Sequence, residues 1–309
     1  MFKSGRLKYF AAALTSVAMW GFFSIPLRNL KAFPSEDILY YRIFASLLIT
    51  WLVILLFRRK QLKNDIAYLK SESRANQQKI LKLTLIAGVL ITGNWFSFIY
   101  AVNNVSLTSA AFAYMVCPLI TAMGGFLILK EVLSKLKLIA ITIAFVSILL
   151  LAKGSLTDVL WSVFIASLYA FYLIIQRVIT NIDRFNMLGV QLILSVFLMF
   201  PLFIYHHTAF ITDFYFWINI VIIAVFFTII PLFLSLYALI GLPSSTLGII
   251  IYINPIVAFA VAFIYFHEAI NSYQIYAYTL LLGAVIVFNW GILSSIFVKN
   301  YQKLKTSNQ

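Results

Sequence analysis

The sequence predicts an all-α membrane protein with ten transmembrane helices, arranged as two inverted five-helix repeats. Three observations carry this. Of 309 residues, 63% are apolar and 10% charged, with a mean hydropathy of +1.00; globular chains run near 45–50% and about 25%. The apolar residues fall into ten runs near the roughly 20-residue length that spans a bilayer core. The chain also repeats itself at an offset of 137 residues, which places Ala101 on Ala238, Ser109 on Thr246, Pro118 on Pro255, Phe126 on Phe263 and Glu131 on Glu268.

In order, the runs are about Tyr9–Leu27, Ile38–Phe57, Ile80–Ala101, Leu107–Leu129 and Leu136–Ala152, then Leu156–Ile175, Met187–Tyr205, Phe214–Tyr237, Ser245–Phe266 and Tyr273–Val298. In lipid each backbone N–H must bond within its own segment, so runs this apolar form helices; a membrane barrel would alternate. The first run follows Lys3, Arg6 and Lys8 but is too long for a signal core and lacks a small-residue cleavage site, so it stays as helix one.

Nineteen of the 23 basic residues fall on one side of a ten-helix path, eight of them between Arg58 and Lys82. The other side holds Arg28, Lys31 and Lys153, and Arg42 lies within a span. Cytoplasmic loops carry the excess of Lys and Arg, so both termini are expected in the cytoplasm of a bacterial-type cell, with the chain multi-pass in the cytoplasmic (inner) membrane. The net charge of +14 is then an orientation signal facing anionic lipid rather than a nucleic-acid footprint. Residues 1–152 form the first repeat, 153–298 the second, and 299–309 a cytoplasmic tail. Five is odd, so the second copy sits upside down, the architecture of many secondary transporters with a site near the midplane.

Other classes lose ground on the same residues. Composition excludes a water-soluble enzyme, and Cys117, the only cysteine, cannot form an internal disulfide. Neither a phosphate-binding G-x-x-x-x-G-K-[ST] loop nor H-E-x-x-H or G-x-S-x-G is present. The histidines are His206, His207 and His267, all in expected outer loops, where an adjacent pair makes a weak metal site. No cofactor or metal is expected. A channel-like facilitator would be expected to show charge rings or a filter loop, and neither is visible.

Arg42 is the most informative side chain, because arginine at a helix centre costs about 2.5–3.5 kcal/mol. It either clamps a substrate carboxylate, or snorkels to headgroups or pairs with Glu36 or Asp37. No acid lies near mid-span, so protons as a coupling ion would enter through Glu36, Asp37, Glu268 or the substrate. Glu131 and Glu268 are expected to cap helices five and ten. Pro118 and Pro255 interrupt matched helices and are read as gating kinks. Near them and on helix three, Asn94, Trp95, Asn103, Tyr114, Tyr252 and Asn254 join Arg42 as expected substrate-binding residues, with Asn104 adding another amide. Packing is the competing role for all of these.

The stretch Thr92-Gly93-Asn94-Trp95, followed by Ala101-Val102-Asn103-Asn104, Tyr114 and Pro118-Leu119, resembles helices three and four of the RarD-type EamA transporters of the drug/metabolite transporter superfamily. Glu36-Asp37-Ile38-Leu39-Tyr40-Tyr41-Arg42 resembles that family's second-helix entrance, and Ser245-Thr246-Leu247-Gly248 with Tyr252, Pro255 and Glu268 its ninth helix. Tyr41 stands where the family pattern has histidine, and the loop around Ser71–Gln78 also departs from it. The resemblance implies ten helices and secondary transport of a small organic solute, with efflux of metabolites or chloramphenicol-type drugs; the lone Arg42 favours an amino-acid-like or carboxylate metabolite, with chloramphenicol-type efflux as the alternative. A monomer or a dimer fits equally.

Overall fold

Within the described residues each apolar run folds as helix, but several are subdivided where proline or an extra residue disturbs the hydrogen-bond ladder. The computed structural model describes residues 6–104, 107–151, 156–206, 211–267, 272–291 and 294. The first run divides into α1 (Arg6–Gly21) and α2 (Ser24–Asn29). Between them Phe22 and Phe23 donate three residues back, to Met19 and Trp20, just ahead of Pro26, which has no N–H to offer. Next come α3 (Ser35–Phe57), the polar α4 (Arg59–Ser71), α5 (Arg74–Asn104), α6 (Leu107–Leu129) and α7 (Lys135–Leu151). The second half holds α8 (Leu156–Val178), α9 (Arg184–His206), α10 (Phe214–Ala224), a π-helical turn (Val225–Ile229), α11 (Ile230–Gly241), α12 (Ser244–Ile250), α13 (Ile253–Ile264) and α14 (Ser272–Phe288).

Among the described residues, seven stretches are long and apolar enough to cross a bilayer: α1–α2, α3, α5, α8, α9, α10–α11 and α12–α13. The described parts of α6 and α14 are shorter apolar helices, and α7 has 17 residues. Polarity is inside-out relative to a soluble protein. Leu48, Leu127, Leu149, Phe197 and Ile204 are exposed, whereas Ser16, Thr50, Thr92, Thr121, Ser162, Ser195 and Ser235 are buried. Hydroxyls bridge helices directly, Thr92 to Ser195 and Ser16 to Ser235 at 2.7 Å each. Such bonds average about 0.6 kcal/mol apiece in lipid and mainly fix register.

The repeat is visible as inversion. Where α6 meets α12, Gly125 faces Ser244 and Gly248 faces Thr121, so the two run antiparallel. The same holds for α7 and α14: Ser147 Oγ donates to Ala277 O at 2.6 Å, and Lys137 Nζ sits 5.1 Å over Phe288. It holds again for α3 and α9, where Tyr40 meets Phe203 and Arg58 meets Asp183. These are the helices that a shift of five matches, and opposite direction is what a two-fold axis in the membrane plane requires. Neighbours match too: α1 on α11 has its mirror in α8 on α5, and α6 on α8 in α13 on α1. Even the left-handed residue ending α6, Lys130 at φ 52°, has its counterpart 137 residues on, in His267 at φ 53°.

Two expectations change here. Pro118 lies inside a continuous α6, whereas the chain breaks at Ile251–Tyr252 ahead of Pro255. Without an N–H on Pro255, the Ile251 carbonyl takes its bond from Asn254 N at 2.9 Å instead. The matched prolines therefore sit differently in the hydrogen-bond ladder, one inside an unbroken helix and one just after a break. Glu131 does not cap α7. Its Oε1 accepts from Ser244 N (2.7 Å) and Ser244 Oγ (2.8 Å), and its Oε2 from Ser245 N (2.9 Å), so it caps α12 in the other half. The reason is local: Lys130 turns left-handed and Glu131 N donates back to Gly125 O, a C-terminal turn that aims the carboxylate across the bundle. Glu268 and the tail 299–309 lie outside the described residues.

Candidate functional site

Arg42 enters the bundle from the first third of α3 because Tyr40, Tyr41 and Ile43 on either side are buried in packing of their own. Tyr41 turns away, edge-on to Phe203, Phe216 and Trp217. The guanidinium of Arg42 lies 5.3 Å from the Trp95 ring of α5 and 5.9 Å from Phe23, at the α1–α2 turn. Tyr114 of α6 is within electrostatic reach of it and packs against Phe98 at 5.4 Å. Among the described residues no carboxylate or carbonyl accepts a hydrogen bond from Arg42, and its Nε is buried without a partner. Neither Glu36 nor Asp37 pairs with it. Aromatic faces supply about 0.5–2 kcal/mol of cation–π attraction each, which leaves the hydrogen-bonding capacity of the fork open for an anion.

The polar atoms continue inward from there. Cys117, one turn along α6 from Tyr114, is buried beside Thr121 at 3.7 Å and stands in the electrostatic neighbourhood of Tyr169 and Tyr252. Both tyrosine hydroxyls are buried and, among the described residues, without hydrogen-bond partners. With the Arg42 Nε they make three buried polar atoms without a partner among the described residues, where such groups are ordinarily satisfied. Trp20 lies 6.0 Å from Tyr169 and spends its Nε1–H on the Phe227 carbonyl at 3.0 Å. That carbonyl is available because the residue four positions on is Pro231, which has no N–H to give; within the π turn, Thr228 Oγ1 reaches back five residues to Ile223 O.

The other expected residues divide. Arg42, Trp95 and Tyr114 come together and retain accessible surface although they face one another between helices. Tyr252 is fully buried, its hydroxyl without a partner among the described residues. Asn94 is buried and donates Nδ2 to Ile165 O at 2.9 Å, which fastens α5 to α8. Asn254 sits at the α12–α13 break, where its carbonyl approaches Gly21 of α1. The side chain of Asn103 lies outside the described residues, as do those of Asn104 and His206. Phe23, Phe98, Trp20 and Tyr169 were not anticipated. In a chain that is 17% aromatic, only the rotation of each helix separates a ring facing the site from one facing lipid.

At the far end of α3 the two halves are tied together. Arg58 bonds Asp183 at 2.6 Å, and Asp183 caps α9 through the backbone N–H groups of Phe185 and Asn186. Asp65 of α4 accepts from Asn186 Nδ2 at 2.6 Å and from Asp183 N at 3.2 Å. Within the second half Arg177 donates to the carbonyls of Leu239 and Ile240, while the Glu131 cap joins the halves where α6 meets α12.

Comparison with known proteins accords with this architecture. The sequence model of the EamA-like transporter family matches twice, over residues 7–153 and 156–290. The chain belongs to the EamA-like transporter family. Among EamA proteins it is similar to "Uncharacterized transporter YojE" of Bacillus subtilis (strain 168), 29% identical over 279 residues that cover 89% of this chain and 91% of that protein. It is also similar to "Protein RarD" of Streptomyces exfoliatus, 28% identical with 89% and 86% covered. "Protein RarD" of Escherichia coli (strain K12) is 27% identical with 89% and 92% covered. A solved structure described as "Crystal structure of protein" superposes with a TM-score of 0.73 over 91% of this chain and 97% of its own, at 12% identity, a likeness of fold alone. The protein is thus a RarD-type member of the drug/metabolite transporter superfamily, a multi-pass membrane transporter and not an enzyme.

Proposed function

We propose that this EamA transporter carries a small polar organic solute bearing a carboxylate, of amino-acid-like size, by alternating access between its two five-helix halves, residues 1–152 and 153–298. The observation that supports it is Arg42, a guanidinium among aromatic rings with no counterion from the described residues. The carboxylate of the solute takes the fork of Arg42, the Trp95, Phe23 and Phe98 rings cover its apolar part, and the Tyr114, Tyr169 and Tyr252 hydroxyls serve its polar groups. An apolar pocket with a few fixed polar groups is the ordinary arrangement for such ligands. Both termini face the cytoplasm of a bacterial cell, so the ties at Arg58, Asp65 and Glu131 close the cytoplasmic side and Arg42 lies toward the outside.

Alternating access follows from exchanging one set of ties for its mirror image. The offset of 137 sets Glu268 against the backbone N–H groups of residues 107 and 108, the counterparts of Ser244 and Ser245. In this scheme Glu131 holds the inner gate and Glu268 the outer one, with the α12–α13 break flexing between states. Efflux of a chloramphenicol-type drug is the second reading, favoured by the number of uncharged rings around Arg42. Solute counterflow in proteoliposomes tests carriage itself: trans-stimulated, saturable exchange is expected, whereas unsaturated flux with no trans-stimulation points to a channel. A thermal-stability panel of amino acids, other carboxylates and chloramphenicol tests the substrate class, because a ligand specific to the folded state raises its stability. Stabilisation by chloramphenicol with none from any carboxylate overturns the clamp.

A further inference from the structure

A second site lies away from Arg42, in a cleft of about 400 Å³ between α4, α5 and the start of α9. Its walls are Ile66 and Leu69 of α4, Ile80 and Leu81 of α5, and Val190 of α9, with Lys70 at its edge. No residue of α4 is buried; Leu62 packs on the core, but along the cleft the apolar surface stays open, with Ile66 44% and Leu81 59% exposed. The cleft wall on α5 runs on into Leu85 and Ile86, exposed in the apolar belt.

Charge narrows the occupant. Residues 58–82 hold eight basic side chains against Asp65 and Glu72. Both acids are already engaged, Asp65 by Asn186 and the Asp183 N–H, Glu72 by Asn76 Nδ2 at 2.5 Å. Those neutral donors leave both carboxylate charges in place and Arg58 is paired with Asp183, so seven basic side chains remain against two acids; that excess suits something anionic, while the cleft beneath it accepts hydrocarbon. Soluble anions satisfy the first requirement and neutral apolar compounds the second; one molecule satisfies both.

We infer that this cleft seats an anionic phospholipid from the leaflet on the α4 side, an acyl chain between Ile66, Leu81 and Val190 and the phosphate at Lys70. The bound lipid then clamps α4 across the α8–α9 turn, where Asp65 and Arg58 already hold it. The site is distinct from the transport site, and its test requires no transport.

The test uses the full chain, purified and delipidated, titrated with phosphatidylglycerol or phosphatidylcholine and examined by native mass spectrometry and thermal unfolding. The expected result is about one phosphatidylglycerol retained per chain, at least about fivefold preferred over phosphatidylcholine, the contribution of one basic contact. Lys70→Glu should abolish the preference, Ile66→Asp should abolish retention, and Lys135→Glu, an exposed lysine elsewhere, should change neither. Should Ile66→Asp fail to insert, Leu81→Asp on the opposite wall takes its place. Equal retention of both lipids overturns the proposal. So does a preference that the Asp variants keep, because charge attraction without a seated chain explains that outcome.

Discussion

At the residue scale the informative side chains are those whose chemistry exceeds what their surroundings satisfy. Arg42 has five donors and, among the described residues, only ring faces to meet them. Replacing it with alanine should cut counterflow about tenfold or more, since a hydrogen bond to a charged group contributes about 1.5–3 kcal/mol. Arg42→Lys keeps the charge but loses the planar fork and should recover only part of the flux. Wild-type flux in the alanine variant, at equal membrane insertion, would remove Arg42 from the site. Asn94 shows the opposite case. Its amide is committed to Ile165 O, so Asn94→Ala should lower thermal stability by about 1 kcal/mol rather than alter solute selectivity.

At the element scale, close approach is set by glycine at chosen points. A Cβ on Gly21 would lie 2.5 Å from Val257 Cβ and 3.2 Å from the Asn254 carbonyl, atoms that cannot rotate away. Gly21→Ala should therefore separate α1 from α13 and destabilise by about 1–3 kcal/mol. Nothing lies within 4 Å of a Cβ on Gly283, where the same change should be neutral or stabilise by about 0.5–1 kcal/mol through helix propensity. Comparing the two variants in one detergent melting series checks both. The α4–α5 junction carries a pH dependence of its own. The Asn76 amide, and after it the Tyr68 hydroxyl, hold the Glu72 carboxyl below the ordinary glutamate range. Its contribution is fully present above that range and is lost as pH falls through the lowered value. Protection at residues 71–77, taken as the observed hydrogen-exchange rate relative to the intrinsic rate at each pH, should fall on acidification over that interval, and Asn76→Ala should move the onset to higher pH.

At the scale of the whole molecule, the proposed alternating access makes exchange between two opposed sets of ties the conformational variable to test. The set seen here centres on Glu131 with Ser244 and Ser245, and on Arg58 with Asp183. Glu131→Gln keeps the shape but discards the charge that the α12 amides stabilise, and should shift the population toward opening on that side. A cysteine placed at the buried position Ser245, in a Cys117→Ala background, reports it: labelling by a membrane-impermeant maleimide should rise several-fold in Glu131→Gln. Glu268→Gln should move labelling the other way. Equal labelling in all three proteins would show that these glutamates hold no gate.

Much of this was legible before any coordinates. Hydropathy marked the helices because lipid leaves the backbone no alternative, and the 137-residue offset already paired Pro118 with Pro255 and Glu131 with Glu268. The polar α4, the π turn at Val225–Ile229 and the unequal behaviour of the two prolines were not legible. The first rests on contacts such as Asp65 with Asn186; the other two depend on where carbonyls that lose their N–H near a proline find new donors, such as Trp20 for Phe227 and Asn254 for Ile251.

The sequence by itself determined the environment, the repeat and the presence of an arginine that lipid would reject, because burial in a bilayer acts on residue type alone. Only the tertiary structure decided which helix Glu131 caps, which rings surround Arg42 and which amides are already spent. Those outcomes turn on the rotation and crossing of helices nearly uniform in apolarity around their circumference, and such rotation is set by contacts between residues far apart in the chain.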